Sequence, residues 1–267
     1  SLHYPITSKS RRLILDRRLF LYVKKNGGDP MRILLWNIQD GGVLSLNHPD
    51  RSNLQNILTV IRDLVPDLTV LPEYETEYRR IFLEEGLIPL GYTCTVCEDA
   101  PDATLRKRTL LAAKLPFTTL PRPMEILRYS WRNWIEAAFP ESGLRLLGIH
   151  VPLAQTSDRF GDSRDNCREK RLFLEELRRR FTEYAALSSP ALILGDFNLY
   201  PGAVYGEVLK DFSAALTELT KGEPTWNKRK LDFLFANEAF RSRVTFVSEP
   251  QKTPFSDHAY LYLDADL

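Results

Sequence analysis

The run Ala191-Leu-Ile-Leu-Gly-Asp196-Phe-Asn198 ends an apolar stretch in a glycine, an acid and an amide. Side chains alternate along an extended chain, so Asp196 and Asn198 face one side while Phe197 turns back toward a core. An anionic oxygen held beside a neutral one suits a hard divalent cation and a phosphate oxygen. Taken alone, the run also reads as a strand that ends in an Asx turn. Recurrence shifts the balance. Met31-Arg-Ile-Leu-Leu-Trp36 leads into Asn37-Ile-Gln39, Leu68-Thr-Val-Leu71 into Pro72-Glu73, and Leu144-Arg-Leu-Leu-Gly-Ile149 into His150. Farther along the order reverses: Asp232 precedes most of Phe233-Leu-Phe235, and Ser256-Asp257-His258 precedes Ala259-Tyr-Leu-Tyr-Leu263. If the last two strands run antiparallel to their partners, all of these polar groups meet at one edge.

The elements that must position them can be read in outline. Residues 52–64 carry Leu54, Ile57, Leu58 and Ile61 on one helical stripe, and Pro66-Asp67 ends that helix before the strand that delivers Glu73. Residues 75–85 read as helical, with Glu75 and Glu77 in the first turn, where acids favour the N-terminus. Gly91 to Glu98, Thr109 to Lys114, Glu125 to Tyr129, Asn133 to Phe139 and Leu144 to His150 read as successive strands, mostly antiparallel. The longest helix is expected over Arg164 to Leu187, with Leu174, Leu177, Phe181 and Tyr184 on one face and Arg and Glu on the other. After the Asp196 strand come a helix at 203–211, a strand near 213–218, and strands at Leu231 to Phe235, Arg243 to Val247 and Ala259 to Leu263. Two β-rich halves, each opening with a strand and a helix, predict an α/β fold: a four-layered sandwich of two packed mixed β-sheets flanked by helices.

The 267 residues, 43% hydrophobic and 27% charged, belong to the soluble globular class, and one large domain over 31–267 is expected. The net charge of +1 hides an asymmetry: residues 1–30 hold seven Lys/Arg and two Asp, leaving 29 basic against 33 acidic residues beyond them. That basic N-terminal extension, 1–30, reads as a solvated helix over 11–25 rather than as a membrane or nucleic-acid contact. The slightly acidic remainder does not suggest extensive wrapping of a duplex. Three cysteines give no metal spacing; Cys94 and Cys97 fall in a strand where i and i+3 face apart, and read as packing thiols. Asp16-Arg17-Arg18 breaks the leader's apolar stretch, so no signal peptide is expected, nor is a membrane span, and cytoplasmic residence is the default.

Together, Asn37-Ile-Gln39, Pro66-Asp67-Leu-Thr-Val-Leu-Pro-Glu73, Gly148-Ile-His150, Gly195-Asp-Phe-Asn198, Leu231-Asp232-Phe233 and Ser256-Asp-His258 resemble the endonuclease/exonuclease/phosphatase superfamily, with every block in the family's order from about Met31 to Leu263. The resemblance implies a Mg²⁺ ion, with Mn²⁺ as a substitute, held principally by Glu73 with Asn37 and Asp257 near the metal sphere. It implies that Asp196 orients or activates the attacking water, that Asn198 holds a non-bridging phosphate oxygen, and that His258 contacts the scissile phosphate while Asp232 positions it or His150. His150 and the Asn-Ile-Gln39 block lean toward the deoxyribonuclease I side of the family. Pro72, where the family usually has Gln, is a departure that could alter the loop before Glu73. The chemistry agrees: phosphodiester hydrolysis adds charge to the phosphate oxygens, which a cation and fixed donors stabilise, and a histidine paired with a carboxylate can titrate near neutrality. His150 and His258 are half of the four histidines; His3 and His48, in polar segments, read as surface residues.

Other polar groups read more plainly. Asp40-Gly41-Gly42 reads as a plain turn in preference to part of a substrate loop, and Arg106-Lys107-Arg108 as solvated loop charge in preference to a substrate contact. Lys228-Arg229-Lys230 abuts Asp232, which makes Arg229 a candidate contact to a substrate backbone. Trp226 reads as core in preference to a base-stacking residue, and Trp131 and Trp134 stay ambiguous between the same two roles. The expectation is a metal-dependent phosphodiesterase, a nuclease acting on DNA in preference to RNA, with no obligate protein partner. The alternatives are a phosphodiesterase or phosphatase for a small or lipid phosphate, sphingomyelinase-like or inositol-phosphate-like, and a non-catalytic binding module on the same fold.

Overall fold

Apolar runs such as Leu68-Thr-Val-Leu71 and Ala191-Leu-Ile-Leu194 lack alternation because both of their faces are covered, and they become central strands. The computed structural model describes residues 30–42, 51–95, 107–123, 127, 130–154, 163–220 and 222–267. Its strands, in chain order, are β1 (Met31–Leu35), β2 (Leu68–Glu75), β3 (Thr93–Thr95), β4 (Lys107–Ala113), β5 (Thr118–Thr119), β6 (Trp134–Phe139), β7 (Leu144–His150), β8 (Ala191–Asp196), β9 (Thr217–Glu218), β10 (Asp232–Ala236), β11 (Val244–Val247) and β12 (Leu261–Ala265). They form two six-stranded sheets, ordered β11-β12-β1-β2-β4-β3 and β5-β6-β7-β8-β10-β9.

Each sheet is mixed. β1 pairs parallel with β2 and antiparallel with β12; β7 pairs parallel with β8, which pairs antiparallel with β10. The last two long strands therefore reverse direction as expected, and the polar ends on both sheets fall on one rim. Three apolar layers hold the sandwich. Leu35, Val70 and Leu263 of one sheet meet Leu146, Leu194 and Leu234 of the other. The helix Arg51–Leu64 and the helical segment Arg80–Leu87 cover the first sheet through Leu54, Ile57, Ile61 and Phe82. The helix Ser163–Ala185 covers the second through Phe173, Leu177, Phe181 and Tyr184. The result is the four-layered arrangement.

Three boundaries differ from the sequence reading. The helix expected at 203–211 runs over Val208–Ala215, because Val208 and Phe212, one turn apart, bury together against the Phe181 layer. It takes most of the strand expected at 213–218, of which only Thr217–Glu218 pairs with β10. Glu75 closes β2, buried, opposite Lys107, and the helical turn Thr76–Tyr78 starts at the next residue. The strand expected at 125–129 lies outside the described residues except for the buried Leu127; upstream of it, β5 pairs with β6. The basic extension through residue 29, His3, His48, Cys97 and Arg106 also lie outside them. Among the described residues no helix is long and apolar enough to cross a membrane.

Candidate active site

Register places the acids and histidines. In the second sheet Asp196 lies opposite His150 on β7 and opposite Asp232 on β10, so the three stand in one row at the strand ends. Gly195 permits the close approach: a Cβ there would lie 2.0 Å from the Ile149 carbonyl oxygen. In the first sheet, Trp36 N donates to Val70 O at 3.1 Å and Ile38 N to Pro72 O at 3.2 Å, which carries Asn37 level with the end of β2. The β2–β4 register shifts between Leu71 and Tyr74. Pro72, with no N–H to give the ladder, sits at that irregularity, and Glu73 follows with φ 62°. The departure from the family sequence thus coincides with a bulge that aims Glu73 into the rim. The Ser256 hydroxyl donates to Asn37 O at 2.7 Å and accepts from His258 N at 3.1 Å, which fixes Asp257 and His258 beside Asn37.

The two sheets meet through side chains. Asn37 Nδ2 donates to Asp196 Oδ2 at 2.9 Å and to Glu73 Oε1 at 3.3 Å. His150 Nε2 lies 3.6 Å from Asp196 Oδ2 and 3.7 Å from Glu73 Oε1. His258 Nδ1 bonds Asp232 Oδ2 at 2.8 Å, and its Nε2 lies 3.8 Å from Asp196 Oδ2. Asn198 donates its backbone N–H to Asp196 Oδ1 at 2.8 Å and its amide to Val151 O at 2.9 Å. Gln39 Oε1 accepts from Asp257 N at 3.1 Å, and Asp40 N donates to Glu73 Oε2 at 3.1 Å, so the Gln39-Asp40 turn spans from Asp257 to Glu73. Gln39, Asp40, Glu73 and Asn198 all have positive φ, conformations that non-glycine residues adopt at a cost and that concentrate at functional sites.

Burial and charge drive neighbouring groups apart. Burial raises Asp196, with Asp232 adding to it against His258 and the Asn198 and Asn37 donors, to about 7. Burial holds His150 neutral, at about 4, despite Glu73. Burial opposes charge on His258 too, but Asp232, Asp196 and Asp257 override it and raise it to about 10. Burial alone would raise Glu73; His150, Lys107 and the Asp40 N–H bring it to about 2, and Lys107 carries the charge in that set at neutral pH.

All ten residues singled out for the site, Asn37, Gln39, Glu73, His150, Asp196, Asn198, Arg229, Asp232, Asp257 and His258, fall on this rim or at its margin. Arg229 is marginal, with its guanidinium 4.0 Å over the Tyr200 ring. Three further residues were not read from the sequence. Lys107, taken as loop charge, opens β4 and sends its ammonium to Glu73 Oε2 at 3.0 Å and to Asp40. Lys170, 2% exposed, donates to Asn198 O at 2.9 Å, and burial lowers it to about 8. Its signal was present: it stands one turn before Leu174 on the apolar stripe of the long helix. Trp226 is not core; it is half-buried and its indole N–H donates to Asp257 Oδ2 at 2.8 Å. Trp134 is core and Trp131 nearly so.

Asp196, Asp232 and His258 offer ligand atoms within 4.8 Å of one another, a group that could hold a metal ion. More widely, five carboxylates, Asp40, Glu73, Asp196, Asp232 and Asp257, face two strong cations, Lys107 and His258. The buried Asp232 Oδ1 has no hydrogen-bond partner among the described residues. Hard oxygen donors in excess of positive charge fit a divalent cation.

The family model described as Endonuclease/Exonuclease/phosphatase family matches residues 34–258. No curated protein matches the chain in sequence. In fold the chain is similar to an AP endonuclease from Archaeoglobus fulgidus, at TM-score 0.68 and 16% identity over 89% of this chain and 100% of that one. It is similar to the 3' phosphatase NExo from Neisseria bound to product DNA hairpin, at 0.64 and 15% over 89% and 100%. It is also similar to the human Nocturnin catalytic domain with bound sulfate anion, at 0.59 and 20% over 88% and 93%.

Proposed function

Because this chain belongs to the Endonuclease/Exonuclease/phosphatase family, we propose that it is a divalent-metal-dependent phosphodiesterase, a nuclease that hydrolyses DNA phosphodiester bonds by attack of an activated water. The observation that carries this reading is the split between the two histidines around Asp196: His150 at about 4, His258 at about 10, and Asp196 between them at about 7. Environments that push neighbouring groups apart assign acid and base roles. Asp196, ionised above neutrality, takes the proton of the attacking water. His258, kept protonated by Asp232, presents Nε2–H to the charge that grows on the phosphate oxygens. Neutral His150 donates to a phosphate oxygen without adding a repelling or competing charge. Asn198 spends one amide hydrogen on Val151 O and has the other for a non-bridging oxygen. Asn37 holds Asp196 and Glu73 in register, and Gln39 fixes Asp257.

The metal belongs with Glu73, Asn37 and Asp257 rather than with Asp196, Asp232 and His258, because a protonated imidazole has no lone pair to give. Bound there, a Mg²⁺ or Mn²⁺ ion would supply Lewis-acid stabilisation of the phosphate oxygens. The similar folds of an AP endonuclease and of a 3' phosphatase bound to a product DNA hairpin support a nucleic-acid substrate. A second reading, a small or lipid phosphate as substrate, is favoured by one observation: the domain beyond residue 30 carries 29 basic against 33 acidic residues.

The test incubates plasmid, single-stranded DNA, RNA and lipid-headgroup phosphodiesters with Mg²⁺ or Mn²⁺. DNA cleavage is expected, with Asp196→Asn lowering kcat roughly 10²- to 10⁴-fold at unchanged circular dichroism, and Glu73→Ala abolishing metal-dependent turnover. Headgroup hydrolysis without nucleic-acid cleavage would replace the nuclease reading with the second one. Turnover of none of these substrates would leave a binding module.

A further inference from the structure

Beyond His258 the rim carries an aromatic and cationic arrangement that the hydrolytic chemistry does not use. Residues Trp226 to Arg229 form a tight hairpin, Arg229 N donating to Trp226 O at 2.8 Å and Trp226 N to Arg229 O at 2.9 Å, with Asn227 at φ 50°. That hairpin is pinned to the site. Ala259 N donates to Thr225 O at 2.7 Å, and the Thr225 hydroxyl accepts from Asp232 N at 3.1 Å. The Trp226 ring lies 6.3 Å from the His258 imidazole. At the hairpin's end the exposed Arg229 guanidinium lies 4.0 Å from the centre of the Tyr200 ring. Tyr200 is two residues past Asn198, so this pair borders the position where the phosphate must lie.

Among the described residues Arg229 has no carboxylate partner. Its long, exposed side chain nevertheless holds the guanidinium over an aromatic ring. A guanidinium so placed stacks on planar groups and bonds phosphate or base edges at small entropic cost. We propose that Tyr200, Arg229 and Trp226 form a stacking platform for an unpaired nucleobase beside the scissile phosphate, directing the enzyme to single-stranded or frayed nucleic acid. This rests on the nuclease reading. A base inside a duplex has both faces covered by its neighbours and cannot use the platform. An inositol or choline headgroup offers no π face, and choline would meet a like charge at Arg229. A domain with no excess of basic residues has little with which to grip a duplex backbone, so stacking supplies the holding energy.

The experiment compares a 12-residue oligothymidylate, the same strand annealed to oligoadenylate, and a base-free 12-residue deoxyribose phosphate strand in which tetrahydrofuran replaces every nucleoside. The wild-type protein is expected to show the lowest KM for the free oligothymidylate, with the base-free strand raised roughly 5- to 100-fold. Arg229→Lys, which keeps charge but not planarity, and Tyr200→Leu should bring the two KM values together; thermal melting checks that each variant is folded. Equal wild-type KM values for the two single strands, or a ratio that both variants leave intact, would overturn the platform while sparing the nuclease reading. Cleavage of headgroup phosphodiesters but of none of these strands would sink both together.

Discussion

Asp196 sits between an imidazole that is neutral and one that is charged, and the difference lies in the partner of each. His258 has a 2.8 Å bond to Asp232, whereas His150 has only looser contacts near 3.6 Å with Asp196 and Glu73. Catalysis through an ionised Asp196 and a protonated His258 makes the rate rise as pH climbs through about 7 and fall as it passes about 10. Asp232→Asn removes the largest of the charges that sustain His258 and leaves Asp196 and Asp257 alone against burial, which acts in the other direction. Its alkaline limb, followed as kcat/KM against pH, should therefore move down by about one unit or more; an unmoved limb would take His258 out of the acid role. These residues were legible in sequence because each terminates an apolar run. Lys107 and Lys170 were not, since an ammonium's partner is a matter of tertiary approach: the first meets a carboxylate on a neighbouring strand, the second the carbonyl of a left-handed residue 28 positions away.

The strands deliver these groups only because two sheets pack closely beneath the rim. Gly148, in the middle of β7, has no side chain where Val70 of the opposite sheet and Ile135 of β6 converge; a Cβ there would lie 2.8 and 2.9 Å from their methyl groups. Gly148→Ala should therefore cost about 1–3 kcal/mol by overpacking, a melting temperature lower by roughly 2–10 °C for a domain of this size. An unchanged melting temperature would show that the sheets separate freely at that point. The strands flanking Gly148 were readable because they are buried on both faces and therefore continuously apolar. The boundary between the helix Val208–Ala215 and β9 was not, because Val208, Phe212 and Leu216 fit a helical stripe that runs into two residues of edge strand. Proximity of sequence neighbours misled at Glu75 as well: the acid that follows Glu73 by two is claimed by the ladder with β4.

Taken whole, the molecule joins two sheets whose opposed ends share one cluster of charge. Asn37, Glu73, Lys107, Asp257 and His258 come from one sheet's side, and His150, Asp196, Asn198 and Asp232 from the other. A cation that relieves the surplus of carboxylates binds the folded protein alone and so stabilises it. At a metal concentration one hundred times Kd the gain is about 3 kcal/mol, on the order of 5–10 °C in melting temperature. The shift should appear with Mg²⁺ or Mn²⁺, vanish with a chelator and be absent in Glu73→Ala; equal shifts in both proteins would place the ion elsewhere. The sandwich itself could be read from the order of apolar runs, because sheet order follows from few choices once strand directions are assigned.

β12 is clasped between β1 and β11, and Asp257 and His258 are carried in just ahead of it. A growing polypeptide holds Glu73, His150 and Asp196 long before the segment that supplies the protonated imidazole has left the ribosome. Until that closing strand slots into its gap, Asn37 bridges Asp196 and Glu73 across the rim, but Asp232 lacks its imidazole partner. Of the residues gathered at the rim, Asp257 and His258 are the last in chain order, so a chain cut before them keeps Glu73, His150 and Asp196 but has no imidazole paired with Asp232.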